Sequence, residues 1–289
     1  MTVTVADDGH GKLNTSVAYK KGNAAATAIV FVNTYTAAPA YAEFEGIKTL
    51  SGRPLVANEF EFVLTNTGNG RVIETVYNDA NGNFKFSPRE YRAADTYHYT
   101  VTEKHNGIGG VTYDTTVYSI TVKVVDDGDG RLVASVEYHK GQIVVDGIVF
   151  NNSYRAAPTE ITLSGKKLLS GREMNEKEFS FTLNGNGVSE TVTNKADGAF
   201  EFTALTFDKA GVYNYTVNEV KGDLGGITYD ETVYNVTVTV TDDLKGHLVA
   251  SVSIDGKGEL VFNNSYVASG TTAVISGSKT LSGREMNAD

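Results

Sequence analysis

Three residue types recur together in this chain at positions where they could react with one another. Lys48, Glu103 and Asn152 form one set, and Lys167, Glu219 and Asn264 form a second. A lysine amine held out of water loses its proton more readily, and a glutamate held there keeps its own. A neutral amine is a nucleophile, and a protonated carboxyl can pass protons during the attack and donate to the asparagine carbonyl oxygen. Attack of the amine on the asparagine amide carbon would expel ammonia and leave an isopeptide bond. Contact enforced by the fold would supply much of the rate.

Strands must do the positioning. Side chains alternate between the two faces of a strand, and period-2 alternation dominates this sequence. Phe44, Gly46, Lys48 and Leu50 share one face, as do Ile161, Leu163, Gly165, Lys167 and Leu169. Tyr97, Tyr99, Val101 and Glu103 share another, repeated by Tyr213, Tyr215, Val217 and Glu219. Phe150, Asn152 and Tyr154 are repeated by Phe262, Asn264 and Tyr266, with Asn151 and Asn263 pointing outward. Each set thus puts a lysine, a glutamate and an asparagine into apolar rows. Burying a lone charge costs several kcal/mol. Three readings follow from register alone: a buried Lys–Glu salt bridge with the asparagine hydrogen-bonded beside it, three residues at strand ends in water, or the covalent bond.

The sets recur because the chain repeats itself. Leu-Ser-Gly-Arg occurs at Leu50–Arg53, Leu169–Arg172 and Leu281–Arg284. Phe-x-Asn-[Ser/Thr]-Tyr occurs at Phe31–Tyr35, Phe150–Tyr154 and Phe262–Tyr266. Lys48 and Lys167 lie 119 residues apart, as do Asn33 and Asn152; Lys167 and Lys279 lie 112 apart, as do Asn152 and Asn264. So long a period means tandem domains. The expected division is a C-terminal fragment of a repeat at 1–36, complete repeats at 40–155 and 159–267, and an N-terminal fragment at 271–289. The chain therefore reads as an excerpt from a longer array. Its linkers, Thr36–Tyr41 and Arg155–Thr159, each contain Ala-Ala-Pro, and proline stiffness predicts a semi-rigid rod. Seven to nine short strands in each complete repeat predict an all-β, immunoglobulin-like sandwich.

Composition narrows the function. The net charge of -10 argues against nucleic acid, which calls for clustered lysine and arginine. No apolar run is long enough to span a membrane, and the first residues do not form a signal peptide. There is no cysteine, so an extracellular version of this chain takes its staple from elsewhere or relies on its cores. The histidines His10, His98, His105, His139 and His247 show no metal spacing. Asp126-Asp-Gly-Asp-Gly130 lacks the remaining ligands of a calcium loop and reads as a hairpin turn. No cofactor is expected, and no set for catalysis on an external substrate repeats between copies.

Taken in order, Gly-x-Lys-x-Leu-Ser-Gly-Arg, Glu-Phe-x-Phe-x-Leu, Tyr-x-Tyr-Thr-Val-x-Glu, Gly-Gly-[Ile/Val]-Thr-Tyr-Asp and Phe-x-Asn-[Ser/Thr]-Tyr resemble the streptococcal pilin isopeptide linkage repeat. That repeat belongs to Gram-positive pilins and wall-anchored surface proteins. The resemblance implies Cna-B-like sandwiches, each closed by an autocatalytic Lys–Asn bond. By motif, the bonded residues are Lys48 with Asn152 and Lys167 with Asn264, assisted by Glu103 and Glu219. Asn33 and Lys279 carry the motif without their partners, and no bond is expected at either.

The resemblance further implies a cell-surface or cell-wall location and a structural stalk or pilus shaft. Implied partners are neighbouring repeats, sortase and cell wall through other regions, and a host surface. Neither a Leu-Pro-x-Thr-Gly sorting signal nor a Tyr-Pro-Lys pilin motif occurs in these residues, so a single-chain stalk fits as well as a polymerised pilin. The alternative is a ligand-binding adhesin module on the same sandwich. Copy-specific loops or exposed aromatics would mark a binding site; the copies differ mostly by short deletions, which favours a spacer.

Overall fold

Alternating apolar side chains turn most of this chain into strands that bury one face. Tyr118, Ile120, Val122 and Val124 are buried along the strand Val117–Asp126, and the residues between them face outward. The computed structural model describes residues 1–255 and 258–287, and no helix occurs among them.

Each complete repeat is a two-sheet sandwich. In the first, a six-stranded sheet runs in the order Ile143–Val145, Leu132–Lys140, Val117–Asp126, Asp95–Lys104, Glu61–Asn66, Val72–Tyr77. A four-stranded sheet, Val111–Thr112, Ile148–Tyr154, Glu45–Ser51, Asn83–Lys85, covers it. The second repeat has a five-stranded sheet centred on Gly211–Glu219 and a four-stranded sheet centred on Ser164–Ser170 and Leu260–Tyr266. A short pair seals each sandwich: Ala40–Ala42 with Arg89–Tyr91, and Thr159–Ile161 with Leu205–Phe207. The first repeat holds 12 strands, more than the seven to nine expected. The excess is in two- and three-residue pieces that are too short to show a period in sequence.

The first and last strands of each repeat lie side by side and parallel. Glu45–Ser51 pairs with Ile148–Tyr154, and Ser164–Ser170 with Leu260–Tyr266. A phenylalanine stack fills the space above them. Phe62 and Phe84 stack at 3.8 Å between centroids, and Phe181 and Phe200 at 3.9 Å. The glycine two residues before each lysine makes room for that stack. A Cβ on Gly46 would meet Phe84 Cζ at 2.3 Å, and one on Gly165 would meet Phe200 Cζ at 2.3 Å.

The outer segments differ. Residues 1–26 form a three-stranded sheet, Thr2–Asp7, Leu13–Lys21 and Ala24–Ala26, with little burial. The copy of the asparagine strand that follows, around Asn33, is not a strand; Phe31 is 88% exposed, whereas Phe150 is 0% exposed. Residues 267–287, including Lys279, also carry no strand.

Candidate functional site

The lysine, glutamate and asparagine of each complete repeat meet in the core. Parallel pairing sets Lys48 opposite Phe150 and Leu50 opposite Asn152. Lys48 and Asn152 are therefore diagonal neighbours on one sheet face, within reach of a long side chain. Glu103 comes from the other sheet, opposite Phe62 on the neighbouring strand, and points across the sandwich at both. The second repeat repeats this register, with Lys167 opposite Phe262, Leu169 opposite Asn264 and Phe181 opposite Glu219.

Distances are short throughout. Lys48 Nζ lies 2.9 Å from Glu103 Oε2, and Asn152 Nδ2 donates to Glu103 Oε1 at 2.7 Å. In the second repeat Lys167 Nζ lies 2.7 Å from Glu219 Oε2, and Asn264 Nδ2 donates to Glu219 Oε1 at 2.7 Å. The lysine and glutamate side chains are 0% exposed in both repeats, which excludes strand ends in water. Phenylalanine rings wall the amines: Lys48 Nζ is 4.7 Å from the Phe60 centroid and Lys167 Nζ 4.9 Å from that of Phe179.

Burial sets the protonation preferences. It pushes the Lys48 and Lys167 amines below the usual lysine range, against the opposing pull of the paired glutamates. It pushes the Glu103 carboxyl above the usual range, against Lys48. Both shifts favour a neutral amine beside a neutral acid.

The structure adds a residue that the sequence reading gave no role. The Asp114 backbone N–H donates to Asn152 Oδ1 at 2.7 Å, and the Asp230 N–H donates to Asn264 Oδ1 at 2.7 Å. A backbone N–H can only donate, so the amide oxygen must face it. The amide nitrogen is then turned to the glutamate. This differs from the expectation that the glutamate would donate to the carbonyl oxygen.

Each aspartate is itself tied to the asparagine strand. Asp114 Oδ2 accepts from the Asn151 N–H at 2.9 Å, and Asp230 Oδ2 from the Asn263 N–H at 2.7 Å. Burial raises the Asp114 and Asp230 carboxyls, but these bonds and those from Thr116 and Thr232 outweigh it and hold both below the usual carboxylate range. The signal was present in the sequence: Gly-Gly-[Ile/Val]-Thr-Tyr-Asp recurs in both copies. Its working atom is a backbone N–H, which no residue type advertises.

Asn33 and Lys279 are exposed and lie outside any such cluster among the described residues. Asn78 and Asn194 are buried polar residues missed in the sequence. Asn78 Oδ1 accepts the Phe60 N–H at 2.8 Å while Nδ2 donates to Val56 and Asp79 carbonyls at 2.8 Å; Asn194 does the same for Phe179, Asn175 and Lys195. They hold the strand that presents the phenylalanine against each lysine. In the hairpin whose aspartates resemble part of a calcium loop, Asp126 and Asp127 accept backbone N–H groups from Gly128, Asp129 and Arg131.

The fold of each complete repeat is an immunoglobulin-like β-sandwich. The chain belongs to the FctA family, described as the Spy0128-like isopeptide containing domain, which matches residues 1–36, 44–155 and 163–267. No curated protein matches the chain. Similar solved structures include the major pilin T-13 from Streptococcus pyogenes, at 18% identity over 80% of this chain and 100% of that one, with a TM-score of 0.32. Another structure of the major pilin from the same organism is 16% identical over 82% of this chain and 100% of that one, with a TM-score of 0.30. A C-terminal fragment of the pilus adhesin SpaC from Lactobacillus rhamnosus GG is 16% identical over 80% of this chain and 100% of that fragment, with a TM-score of 0.27.

Proposed function

We propose that this chain is a shaft or stalk segment of a Gram-positive surface protein. Its complete repeats, 40–155 and 159–267, each close an isopeptide bond, Lys48 to Asn152 and Lys167 to Asn264. The family match supports a pilin-type structural role. The observation that carries the bond is the buried cluster, in which one carboxyl touches both the attacking amine and the departing amide nitrogen.

The step balances within the cluster. The lysine Nζ attacks the asparagine Cγ, and negative charge gathers on Oδ1 against the aspartate N–H, a preorganised donor. The glutamate takes a proton from Nζ at one oxygen and delivers one to Nδ2 from the other. The C–N bond of the amide breaks and ammonia leaves. The glutamate ends as it began. The reaction is a single turnover on the protein itself, so the chain is not an enzyme toward other molecules.

The bond matters because of where it lies. Force along a tandem array enters a repeat at its first strand and leaves at its last, and these strands are parallel neighbours. A covalent link between them passes the load on without drawing out the residues between. No observation favours the adhesin reading.

Intact-mass spectrometry is the test. The chain should be lighter by two ammonias than its sequence requires. Glu103→Ala and Glu219→Ala should each restore one. An unshifted mass in the unsubstituted protein rejects the bond.

A further inference from the structure

The end of the first complete repeat's asparagine strand also makes contacts with the repeat that follows. Tyr154 closes the strand Ile148–Tyr154, and its ring lies under the Arg53 guanidinium, 4.8 Å from Cζ to centroid. Arg53 is held in turn by Glu59. The Tyr154 hydroxyl leaves its own repeat. It donates to Asp242 Oδ1 at 2.6 Å and accepts from the Gly246 N–H at 3.1 Å, both in the hairpin Asp242–His247 of the second repeat.

The linker follows the same path. The Ala157 N–H donates to the Gly246 carbonyl at 2.8 Å, and the Leu248 N–H donates to the Ala157 carbonyl at 3.1 Å. Gly109 lies against the same hairpin, where a Cβ would sit 2.0 Å from the Lys245 carbonyl oxygen.

One junction upstream the arrangement recurs. Tyr35 donates to Asp126 Oδ1 at 2.8 Å and accepts from the Gly130 N–H at 3.0 Å. Ala38 exchanges backbone bonds with Gly130 and Leu132 at 2.8 and 2.9 Å. This seating forms although the segment around Asn33 is not a strand, so it does not depend on a finished upstream repeat. The receiving hairpins share one internal design, with Asp127 accepting the N–H of Asp129 and Arg131, and Asp243 that of Lys245 and His247.

We propose that the tyrosine end of each repeat is a self-recognition surface. Its partner is the Asp-Asp-x-x-Gly hairpin of the next repeat, and its effect is to fix the angle between consecutive repeats. The hydroxyl supplies specificity, reading a carboxylate and a backbone N–H together. Gly109 supplies the close approach that a side chain would prevent. This reading is independent of the isopeptide bond, and it replaces proline stiffness as the main restraint on the linker.

Tyr266 lies under Arg172 as Tyr154 lies under Arg53, at 5.0 Å. Among the described residues, however, a Cβ on Gly225 would meet nothing within 4 Å. Gly109 and Gly225 hold the same motif position, one covered and one open.

The chain has no cysteine, so Thr75→Cys and Thr191→Cys place one spin label on each complete repeat. Pulsed electron resonance on the full chain should give one narrow distance peak. Gly109→Ala and Tyr154→Phe should each lose that peak to a broad or displaced distribution, while Gly225→Ala keeps it. Circular dichroism and thermal melts check that each variant folds. If Gly109→Ala does not fold, Tyr154→Phe decides, because it removes a single oxygen. Distributions for the folded variants that match the unsubstituted chain, or equal broadening by Gly225→Ala, would overturn the proposal.

Discussion

At the scale of the residue, the proposed chemistry turns on one carboxyl with two neighbours. Glu103 touches the amine with one oxygen and the amide nitrogen with the other, so its loss should stop the reaction in its own repeat and leave the other repeat unaffected. Asp114 acts differently, because its backbone N–H holds the carbonyl and its side chain holds that backbone to the neighbouring strand. Asp114→Ala should therefore slow cross-linking without abolishing it, seen as partial ammonia loss in mass spectra taken at intervals after refolding.

The protonation shifts give a pH signature once the bond is blocked. In Asn152→Ala, the amine of Lys48 has a folded pKa below its unfolded value of about 10.4. The unfolded chain then binds more protons, and this group's contribution to stability rises with pH between the folded pKa and about 10.4. Glu103, with its pKa raised, acts in the opposite sense, and its contribution falls as pH climbs from about 4.3 to the folded value. For the lysine alone, melting curves of Asn152→Ala against Asn152→Ala/Lys48→Met should differ most below the folded lysine pKa and converge as the pH rises to about 10.4.

At the scale of the element, the first and last strands of each complete repeat are parallel neighbours. The segment around Asn33 is not a strand, and Phe31 within it is exposed. Amide hydrogen exchange should therefore be fast through residues 29–33 and strongly protected through Ile148–Tyr154. The buried asparagines act at the same scale by satisfying backbone groups where the chain enters the phenylalanine strand. Asn78→Ala strands the Phe60 N–H and two carbonyls, and should cost roughly 2–3 kcal/mol in denaturant unfolding of the first repeat.

At the scale of the whole molecule, the proposed bond would change how the chain answers heat and force. The proposed bond between Lys48 and Asn152 would close a loop of about 100 residues, worth roughly 4–5 kcal/mol in the chain-entropy account. A repeat without its bond should melt on the order of 20 °C lower. Pulled by its ends in a force spectrometer, the unsubstituted chain should show no unfolding step from either complete repeat. The Glu103→Ala chain should show one, with the released length of the first repeat. Full extension of the unsubstituted chain would refute load bypass.

The sequence by itself determined the all-β class, the repeat and the two lysine–glutamate–asparagine sets. Each is written in side-chain type and in period: a lysine, a glutamate and an asparagine fall in apolar rows with strand parity, and they do so twice. It also signalled Asp114 and Gly109 by repeating their motif, without saying what they do. Only the tertiary structure decided that. Asp114 works through a backbone N–H and Gly109 through the absence of a side chain, and neither effect leaves a residue-type signature. The orientation of the Asn152 amide and the seating of Tyr154 on the next hairpin likewise depend on which distant segment lies alongside. Strand parity assigns a face to each side chain, but the neighbour across that face comes from sheet pairing and from the junction between repeats.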